Sequence, residues 1–458
     1  MKKKIYVFAA ACALMSNALS AQSVTGKWNG KLDIQGIMKL RIVLNVKEAG
    51  GVYTATLLSP DQNAVEIPAS KTTFDQGVLT IECASIGMKY SGKLEKDSLK
   101  GTFTQGGVNM PLNLGQGEVA LVRKQNPVAP YPYNSQEVVF SQKHDGINLA
   151  GTFTYPKTGT NFPVVVLLSG SGPQDRDEAL MGHRPFLVLA DYLTRNGIAV
   201  LRFDDRGVGK SQGTYHKAGV NDFANDADAA IQYLKTRKEV NPKKIGIIGH
   251  SLGSSIAFIE AAGRNKSDVA FVVSMAGMGV KGDAALKKQR EVLNKKFGLP
   301  DAAAQQSEAM ITQINELIAK EGVSAVQENP DKYIDQLIPT LLKGNNQVRE
   351  GFKKALEQCA SPEIVSLLAY DPAGDLAKLS CPLFAINGTS DLQVDADQNL
   401  TGIATATGHK ATTKKYPELN HMFQPSKNGL PTEYGEIETT ISPQVLQDIA
   451  TWIQSVTK

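Results

Sequence analysis

The pentapeptide at residues 249–253, Gly-His-Ser-Leu-Gly, places a serine where it could do chemistry. The apolar segment 244–248 precedes it and predicts a strand, and the segment 254–262 follows it and predicts a helix. In a G-x-S-x-G turn between strand and helix, the glycines allow a sharp bend that exposes the serine hydroxyl above the sheet. Ser251 is therefore the predicted nucleophile.

A serine hydroxyl needs a general base to be nucleophilic at neutral pH. Two histidines follow Ser251 in the chain, His409 and His421. His409 falls where a helix should lead into the last strand, whereas His421 falls just beyond that strand, at the carboxyl end of the sheet. A base for Ser251 belongs at that end, so His421 is the predicted base and His409 is interpreted as a surface residue.

The imidazole of such a base needs a carboxylate that fixes its tautomer and stabilises its protonated form. Asp391 follows the predicted strand 382–387 and lies at the carboxyl end of the sheet. Asp395 and Asp397 are alternatives, but they fall at the start of the next helix, where acidic side chains are favoured. Asp391 is the predicted acid, and the order along the chain is then Ser, Asp, His.

Acyl transfer also needs hydrogen-bond donors for the oxyanion that forms on the carbonyl oxygen. The backbone N–H of Leu252, directly after the nucleophile, is one predicted donor of this oxyanion hole. The second is expected from the loop at 169–173, Ser-Gly-Ser-Gly-Pro, which follows the predicted strand 163–168. Ser171 is the first candidate and Gly172 the next, because glycine lets the backbone approach a substrate closely.

These residues must be positioned by a sheet of buried, parallel strands. Short apolar runs alternate with helical patterns over residues 135–458, which is typical of an α/β fold whose sheet is covered on both faces. The predicted strands are 163–168, 198–203, 244–248, 269–276 and 382–387. Residues 278–370 break this rhythm with a polar, helical stretch between two strands, which predicts an inserted helical cap.

The preceding part of the chain has a different pattern. Residues 22–124 contain short alternating runs separated by glycine-rich turns, which predict a small all-β domain, either a barrel or a sandwich. Residues 125–134 include Pro127, Pro130 and Pro132 and are interpreted as a linker. A glycan, a lipid or a protein could be the ligand of the β domain.

The first residues predict export. Three lysines at 2–4 precede ten apolar residues at 5–14, and small side chains follow, which is the pattern of a cleaved signal peptide over residues 1–21. The mature protein is expected in the periplasm or outside the cell. No later stretch reaches the length of about 20 apolar residues that a membrane span needs.

Composition and spacing limit the partners and cofactors. The net charge is +4, and the signal peptide carries three of the positive charges, so the mature chain has no basic footprint for nucleic acid. No metal-ligand spacing appears, and no nucleotide-binding motif stands in a suitable context, so neither a metal nor a cofactor is predicted. Asp226 and His183 are interpreted as solvent-exposed residues.

The cysteine count is odd once the signal peptide is removed. Cys83, Cys359 and Cys381 remain, so at most one internal disulfide can form. Cys359 and Cys381 are the nearest pair in the sequence. Free, buried thiols are the favoured interpretation.

Residues 135–458 resemble an α/β hydrolase. The segment 169–178, Ser-Gly-Ser-Gly-Pro-Gln-Asp-Arg-Asp-Glu, resembles the S-G-S-G-P-x-D-R-D-E loop of a family of bacterial exported carboxylesterases. The resemblance implies an ester hydrolase that acts on a small or medium acyl ester through an acyl-enzyme. Relatives in this fold are often labelled serine peptidases, so an exported serine peptidase of the aminopeptidase type is the alternative. The first 125 residues lie outside the resemblance.

Overall fold

The structure is a computed structural model, and it describes residues 23–34, 38–61, 66–117, 123–338 and 344–458. The predicted signal peptide at 1–21 lies outside the described residues. The chain forms two compact units, Met1–Ala120 and Leu121–Lys458.

The described part of the first unit is built on a single antiparallel sheet of nine strands. The strands are β1 (Gly26–Ile34), β2 (Met38–Ala49), β3 (Val52–Leu58), β4 (Ile67–Pro68), β5 (Lys71–Asp75), β6 (Val78–Cys83), β7 (Met88–Glu95), β8 (Ser98–Gln105) and β9 (Val108–Gln116). Their order across the sheet is β4-β3-β2-β1-β9-β8-β7-β6-β5.

This sheet curls on itself, because its two edge strands follow one another in the chain. β4 ends at Pro68 and β5 begins at Lys71, so a two-residue link joins opposite edges of the sheet. The rings of Tyr53 on β3 and Phe74 on β5 are in edge contact, with centroids 5.8 Å apart. Trp28 is fully buried in the apolar interior. The all-β prediction is confirmed, and a single curled sheet corresponds to the barrel alternative rather than to a sandwich of two sheets.

The second unit contains a mostly parallel sheet of eight strands. The strands are β10 (Asn134–Gln142), β11 (Ile147–Tyr155), β12 (Phe162–Leu168), β13 (Ala199–Phe203), β14 (Val240–His250), β15 (Val269–Met275), β16 (Leu383–Gly388) and β17 (Thr412–Tyr416). Their order is β10-β11-β13-β12-β14-β15-β16-β17. The pairs that involve β10 and β11 are antiparallel, and all the others are parallel.

Helices cover both faces of this sheet and form the insertion. They are α1 (Pro185–Arg195), α2 (Val220–Lys235), α3 (Leu252–Ala262), α4 (Gly282–Lys296), α5 (Asp301–Glu321), α6 (Val323–Glu328), α7 (Pro330–Leu337), α8 (Asn346–Cys359), α9 (Pro362–Ala369), α10 (Ala373–Leu376), α11 (Ala396–Ala406) and α12 (Pro443–Val456).

The apolar strands are explained by burial on both faces. On β12, Val164 and Val166 pack into one core with α2 and α3, while Val165 and Leu167 pack into the opposite core with α1 and α12. Each apolar residue removed from water in this way stabilises the fold, at about 25 cal/mol per Å² of apolar surface. Residues between β15 and β16 form α4 to α10, with a small core of their own around Ile314. The predicted α/β-hydrolase fold with a helical insertion is confirmed.

The cysteines described by the structure are free thiols, as the favoured interpretation expected. Cys83 and Cys359 are buried, and Cys381 is partly buried. Burial raises the pKa of all three thiols, that of Cys381 to about 11, so each is protonated at neutral pH. Within the same described ranges, no helix is both long and apolar enough to cross a bilayer.

Candidate active site

Ser251 is the single residue between β14 and α3. Its backbone has φ +51° and ψ −117°, a conformation that is costly for a residue with a side chain and is typical of functional turns. A Cβ atom on Gly249 would lie 2.2 Å from the carbonyl oxygen of Gly253, and one on Gly253 would lie 2.1 Å from that of Leu168. Close packing therefore requires both glycines, and the strand, turn and helix predicted around Ser251 are present.

His421 and Asp391 lie on the loops that follow β17 and β16, and their side chains are hydrogen-bonded. Nδ1 of His421 is 2.8 Å from Oδ2 of Asp391. The other carboxylate oxygen accepts the backbone N–H groups of Gln393 and Val394, at 2.8 and 2.9 Å. With Nδ1–H held by the carboxylate, Nε2 of His421 is the nitrogen that can accept a proton.

A buried asparagine side chain organises the backbone of the loop around His421. Oδ1 of Asn420 accepts the N–H groups of Met422 and Gln424, both at 3.0 Å. Asn420 is fully buried, and its own N–H donates to the carbonyl oxygen of Gln424. No sequence pattern singled out Asn420, since its partners are the backbone groups of its own turn.

Ser251, His421 and Ser171 line one cavity of about 260 Å³. Asp391 lies behind His421, with a carboxylate that is wholly buried. The structure thus brings the three predicted triad residues and one predicted oxyanion donor to the same place. The other lining residues are Gly170, Gln174, Glu178, Leu180, Met181, His250, Gln393, Met422, Pro431 and Tyr434.

The two predicted oxyanion donors differ from their neighbours in having no acceptor. Leu252 begins α3, so its N–H has no partner within the helix. Gly170 donates to Oε1 of Glu178 at 2.8 Å, and Gly172 donates to Oε1 of Glu363 at 2.9 Å. Among the hydrogen bonds of the described residues, none is donated by the N–H of Ser171 or Leu252. The geometry therefore favours Ser171 over Gly172.

Two charged residues of the loop at 175–178 are bound to partners on β13 or directly after it. Arg176 donates to both carboxylate oxygens of Asp204, at 2.9 and 2.8 Å. Arg202 donates to Asp177 at 2.7 Å, and both side chains are buried. These ion pairs anchor the segment that presents Ser171.

Glu178 and His250 form a buried ion pair beside the triad. Nδ1 of His250 lies 2.7 Å from Oε1 of Glu178, and Nε2 lies 3.1 Å from the carbonyl oxygen of His421. Burial opposes the charged ring, yet the Glu178 carboxylate and the His421 carbonyl raise the pKa of His250 above its usual value. Both residues stand inside predicted motifs, but nothing in the motifs indicated that they meet.

Two predictions about polar residues were wrong. His183 is buried, with Nδ1 2.9 Å from Oγ1 of Thr440 and Nε2 2.9 Å from the carbonyl oxygen of Tyr434. Asp226 is buried as well and accepts from Arg206 at 2.7 Å. Their partners come from distant parts of the chain, and local periodicity carries no information about them.

The rejected alternatives to the triad residues lie where they were predicted. His409 is exposed at the turn between α11 and β17. Asp395 caps α11, where its side chain accepts the N–H of Gln398 at 2.8 Å. Neither residue lines the cavity.

The strand order, the serine turn after β14 and the helical insertion after β15 are those of the α/β-hydrolase fold. The model of the family described as serine aminopeptidase S33 matches residues 184–332, a range that includes Ser251 and ends before Asp391. Over this range the chain is similar to that family.

The sequence identity of this chain to individual relatives is low. The chain is 27% identical over 317 residues to esterase EstD of Thermotoga maritima, an alignment that covers 69% of this chain and 68% of that protein. It is 32% identical over 127 residues to the uncharacterized protein YfhR of Escherichia coli K12, covering 28% of this chain and 41% of that protein. The crystal structure of the α/β hydrolase GrgF from Penicillium is 16% identical with a TM-score of 0.45, over 70% of this chain and 98% of that one.

Proposed function

We propose that this protein is a serine hydrolase that cleaves carboxylic esters through an acyl-enzyme. The observation that carries the proposal is one cavity lined by Ser251, at its strained turn, and by His421, whose ring is bound to Asp391. The match to a serine aminopeptidase family and the similarity to a protein named as an esterase support a hydrolase.

The proposed reaction uses the residues in the following way. Ser251 attacks the ester carbonyl while Nε2 of His421 takes the hydroxyl proton. Asp391 stabilises the imidazolium that forms, and the N–H groups of Leu252 and Ser171 stabilise the oxyanion. His421 then gives the proton to the leaving alcohol, which leaves an acyl-enzyme. A water molecule, deprotonated by His421, attacks the acyl carbon, releases the acid and restores Ser251.

The cavity favours a short, uncharged acyl group. Its volume of about 260 Å³ lies below the roughly 300–1,000 Å³ of sites for drug-sized ligands. Leu180, Met181 and Met422 supply apolar walls, and Gln174 and Gln393 are uncharged. This lining suits the acyl chain of an acetate or butyrate ester better than that of a long-chain ester.

The alternative function is an aminopeptidase, which the name of the matched family raises. Such an enzyme needs a free carboxylate to bind the ammonium group of its substrate. Glu178 is the acid among the described residues that line the cavity, and its carboxylate is already paired with His250. The cavity therefore supports an ester substrate better than a peptide with a free amino terminus.

Purified protein assayed on p-nitrophenyl acetate, butyrate and octanoate, beside aminoacyl p-nitroanilides, tests the proposal. Acetate and butyrate esters should turn over faster than octanoate. Ser251→Ala should lose at least about 10³-fold in kcat, since the nucleophile is removed. Ser267→Ala, the same substitution at an exposed position, should keep full activity. Faster turnover of anilides would favour the peptidase, and turnover that survives Ser251→Ala would contradict the mechanism.

Two earlier expectations stay predictions. Export depends on residues 1–21, which the structure does not describe. A ligand of the β unit likewise stays a prediction.

A further inference from the structure

The carboxylate of Glu178 joins three loops of the site. Its Oε1 atom accepts the N–H of Gly170 at 2.8 Å and Nδ1–H of His250 at 2.7 Å. Nε2 of His250 in turn donates to the carbonyl oxygen of His421 at 3.1 Å. Gly170 directly precedes Ser171 in the chain, and His250 directly precedes Ser251. Each of these hydrogen bonds therefore involves a proposed functional residue or its neighbour in the chain.

The hydrogen-bond geometry defines the charge of His250. One ring nitrogen faces the Glu178 carboxylate and the other faces a backbone carbonyl, and an ionised carboxylate and a carbonyl oxygen both only accept. Each nitrogen must therefore carry a hydrogen, which makes the ring an imidazolium. The side chains of Glu178 and His250 are each 6% exposed, so the two opposite charges compensate one another away from water.

The pair presents its positive end to His421. The ring centroids of His250 and His421 are 4.8 Å apart, while Glu178 contacts the Nδ1 side of His250, away from the His421 carbonyl. The other titratable groups that face this cluster are Asp391, bound to His421, and Tyr434, which lines the cavity. Asp205 is a further buried carboxyl near this cluster, and the charge of Glu178 helps to raise its pKa.

We infer that Glu178 and His250 are positioning residues, which act as a charged pair to hold the oxyanion loop, the serine turn and the His421 loop in register. The inference rests on the proposed function, because it takes His421 to be the base. It assigns Glu178 and His250 no direct contact with the reacting atoms.

Two substitutions distinguish the effect of the charge on His250 from the effect of the hydrogen bonds that the pair makes. Glu178→Gln keeps the shape and an acceptor for Gly170 but removes the charge, so His250 becomes neutral. His250→Asn keeps a donor towards Glu178 but removes both the cation and the bond to the His421 carbonyl. In both variants KM should change little, because neither side chain is assigned a contact with the reacting atoms. Turnover per active site should fall by about tenfold or more, as expected when catalytic groups lose their alignment.

The amplitude of the initial p-nitrophenol burst gives the concentration of active sites. A loss of folded protein is therefore not mistaken for a lower kcat. Glu260→Gln is the matched control, since Glu260 is equally buried but binds Asn265 at the far end of α3. This control should keep the kcat and the KM of the wild type. A wild-type kcat per active site in both Glu178→Gln and His250→Asn would overturn the inference, even if both proteins melted at lower temperature.

A second measurement does not depend on turnover. The ring nitrogens of the six histidines can be followed by NMR of the full-length protein. His250 should be doubly protonated at pH 7 in the wild type and neutral in Glu178→Gln. A neutral His250 ring in the wild type at pH 7 would refute the inference. Absence of Ser251-dependent turnover would instead refute the proposed function, and the spectra would still report on the pair.

Discussion

At the scale of single residues, the site depends on a few side chains whose positions are imposed by backbone geometry. Ser251 has a positive φ with a negative ψ, a strained conformation that the packing of Gly249 and Gly253 makes possible. A conformation of this kind costs about 1–3 kcal/mol, which the surrounding structure must offset. The cost is offset here by a buried strand and helix on either side of the turn.

Asp391→Asn tests the assignment of the acid. Asparagine keeps the size of the side chain but cannot stabilise the imidazolium, and it favours the wrong tautomer of His421. Activity on p-nitrophenyl butyrate should fall by about 10³- to 10⁴-fold in kcat, with a small change in KM.

Asp395→Asn is the control for this substitution. Asparagine caps a helix as well as aspartate does, so α11 and the activity should both be retained. Equal losses in the two variants would contradict the assignment of Asp391.

At the scale of elements, the oxyanion loop is held by both the sheet and the insertion. Arg176 and Asp177 bind partners on or after β13, and Glu363 at the start of α9 accepts the N–H of Gly172. Ser366 on α9 also binds the first residue of α2 through its hydroxyl, at 3.0 Å. The insertion therefore helps to shape the site as well as covering the sheet.

Glu363→Ala tests this role of the insertion. The N–H of Gly172 loses its acceptor, and the neighbouring Ser171 is less well positioned for the oxyanion. We expect kcat for p-nitrophenyl butyrate to fall by about tenfold, because small displacements of oxyanion donors are costly.

Glu350→Ala, at an exposed position of α8, provides the comparison and should leave kcat unchanged. A wild-type kcat in Glu363→Ala would show that the contact between insertion and loop has no catalytic role.

At the scale of the whole molecule, each unit has an apolar core of its own, and every residue of the candidate site belongs to the second unit. The second unit also buries several carboxylates close to the site. Burial raises the pKa of Asp205 to about 8. The hydrogen bonds from Gln174 and Ser169 lower this pKa, and nearby acids raise it. Asp205 is therefore mostly neutral at pH 7.

This carboxyl makes stability depend on pH. Its pKa in the folded state lies above the ordinary value of 3.8, so the folded protein binds more protons than the unfolded chain between about pH 4 and pH 8. The contribution of Asp205 to the free energy of unfolding thus falls as the pH rises through that window, by several kcal/mol in order of magnitude.

Asp205→Asn removes the ionisation. Thermal unfolding should show the variant gaining stability relative to the wild type between pH 5 and pH 9. Asp397→Asn, at the exposed start of α11, should show a constant difference. A difference for Asp205→Asn that does not change with pH would contradict the prediction.

The sequence by itself determined the fold class and led to the three triad candidates that the structure brings together. Short apolar runs predict parallel strands, and the carboxyl ends of parallel strands meet at one edge, so Ser251, Asp391 and His421 were expected to converge. The preference of helix starts for acidic side chains also distinguished Asp395 from Asp391.

The tertiary structure alone decided which distant groups meet. Glu178 and His250 are 72 residues apart, Gly172 and Glu363 are 191 apart, and His183 and Thr440 are 257 apart. Periodicity reports which face of an element is buried, but it does not identify the partner across the interface. Burial and partners of polar side chains therefore had to come from the packed structure, and with them the ion pair that links the loops of the site.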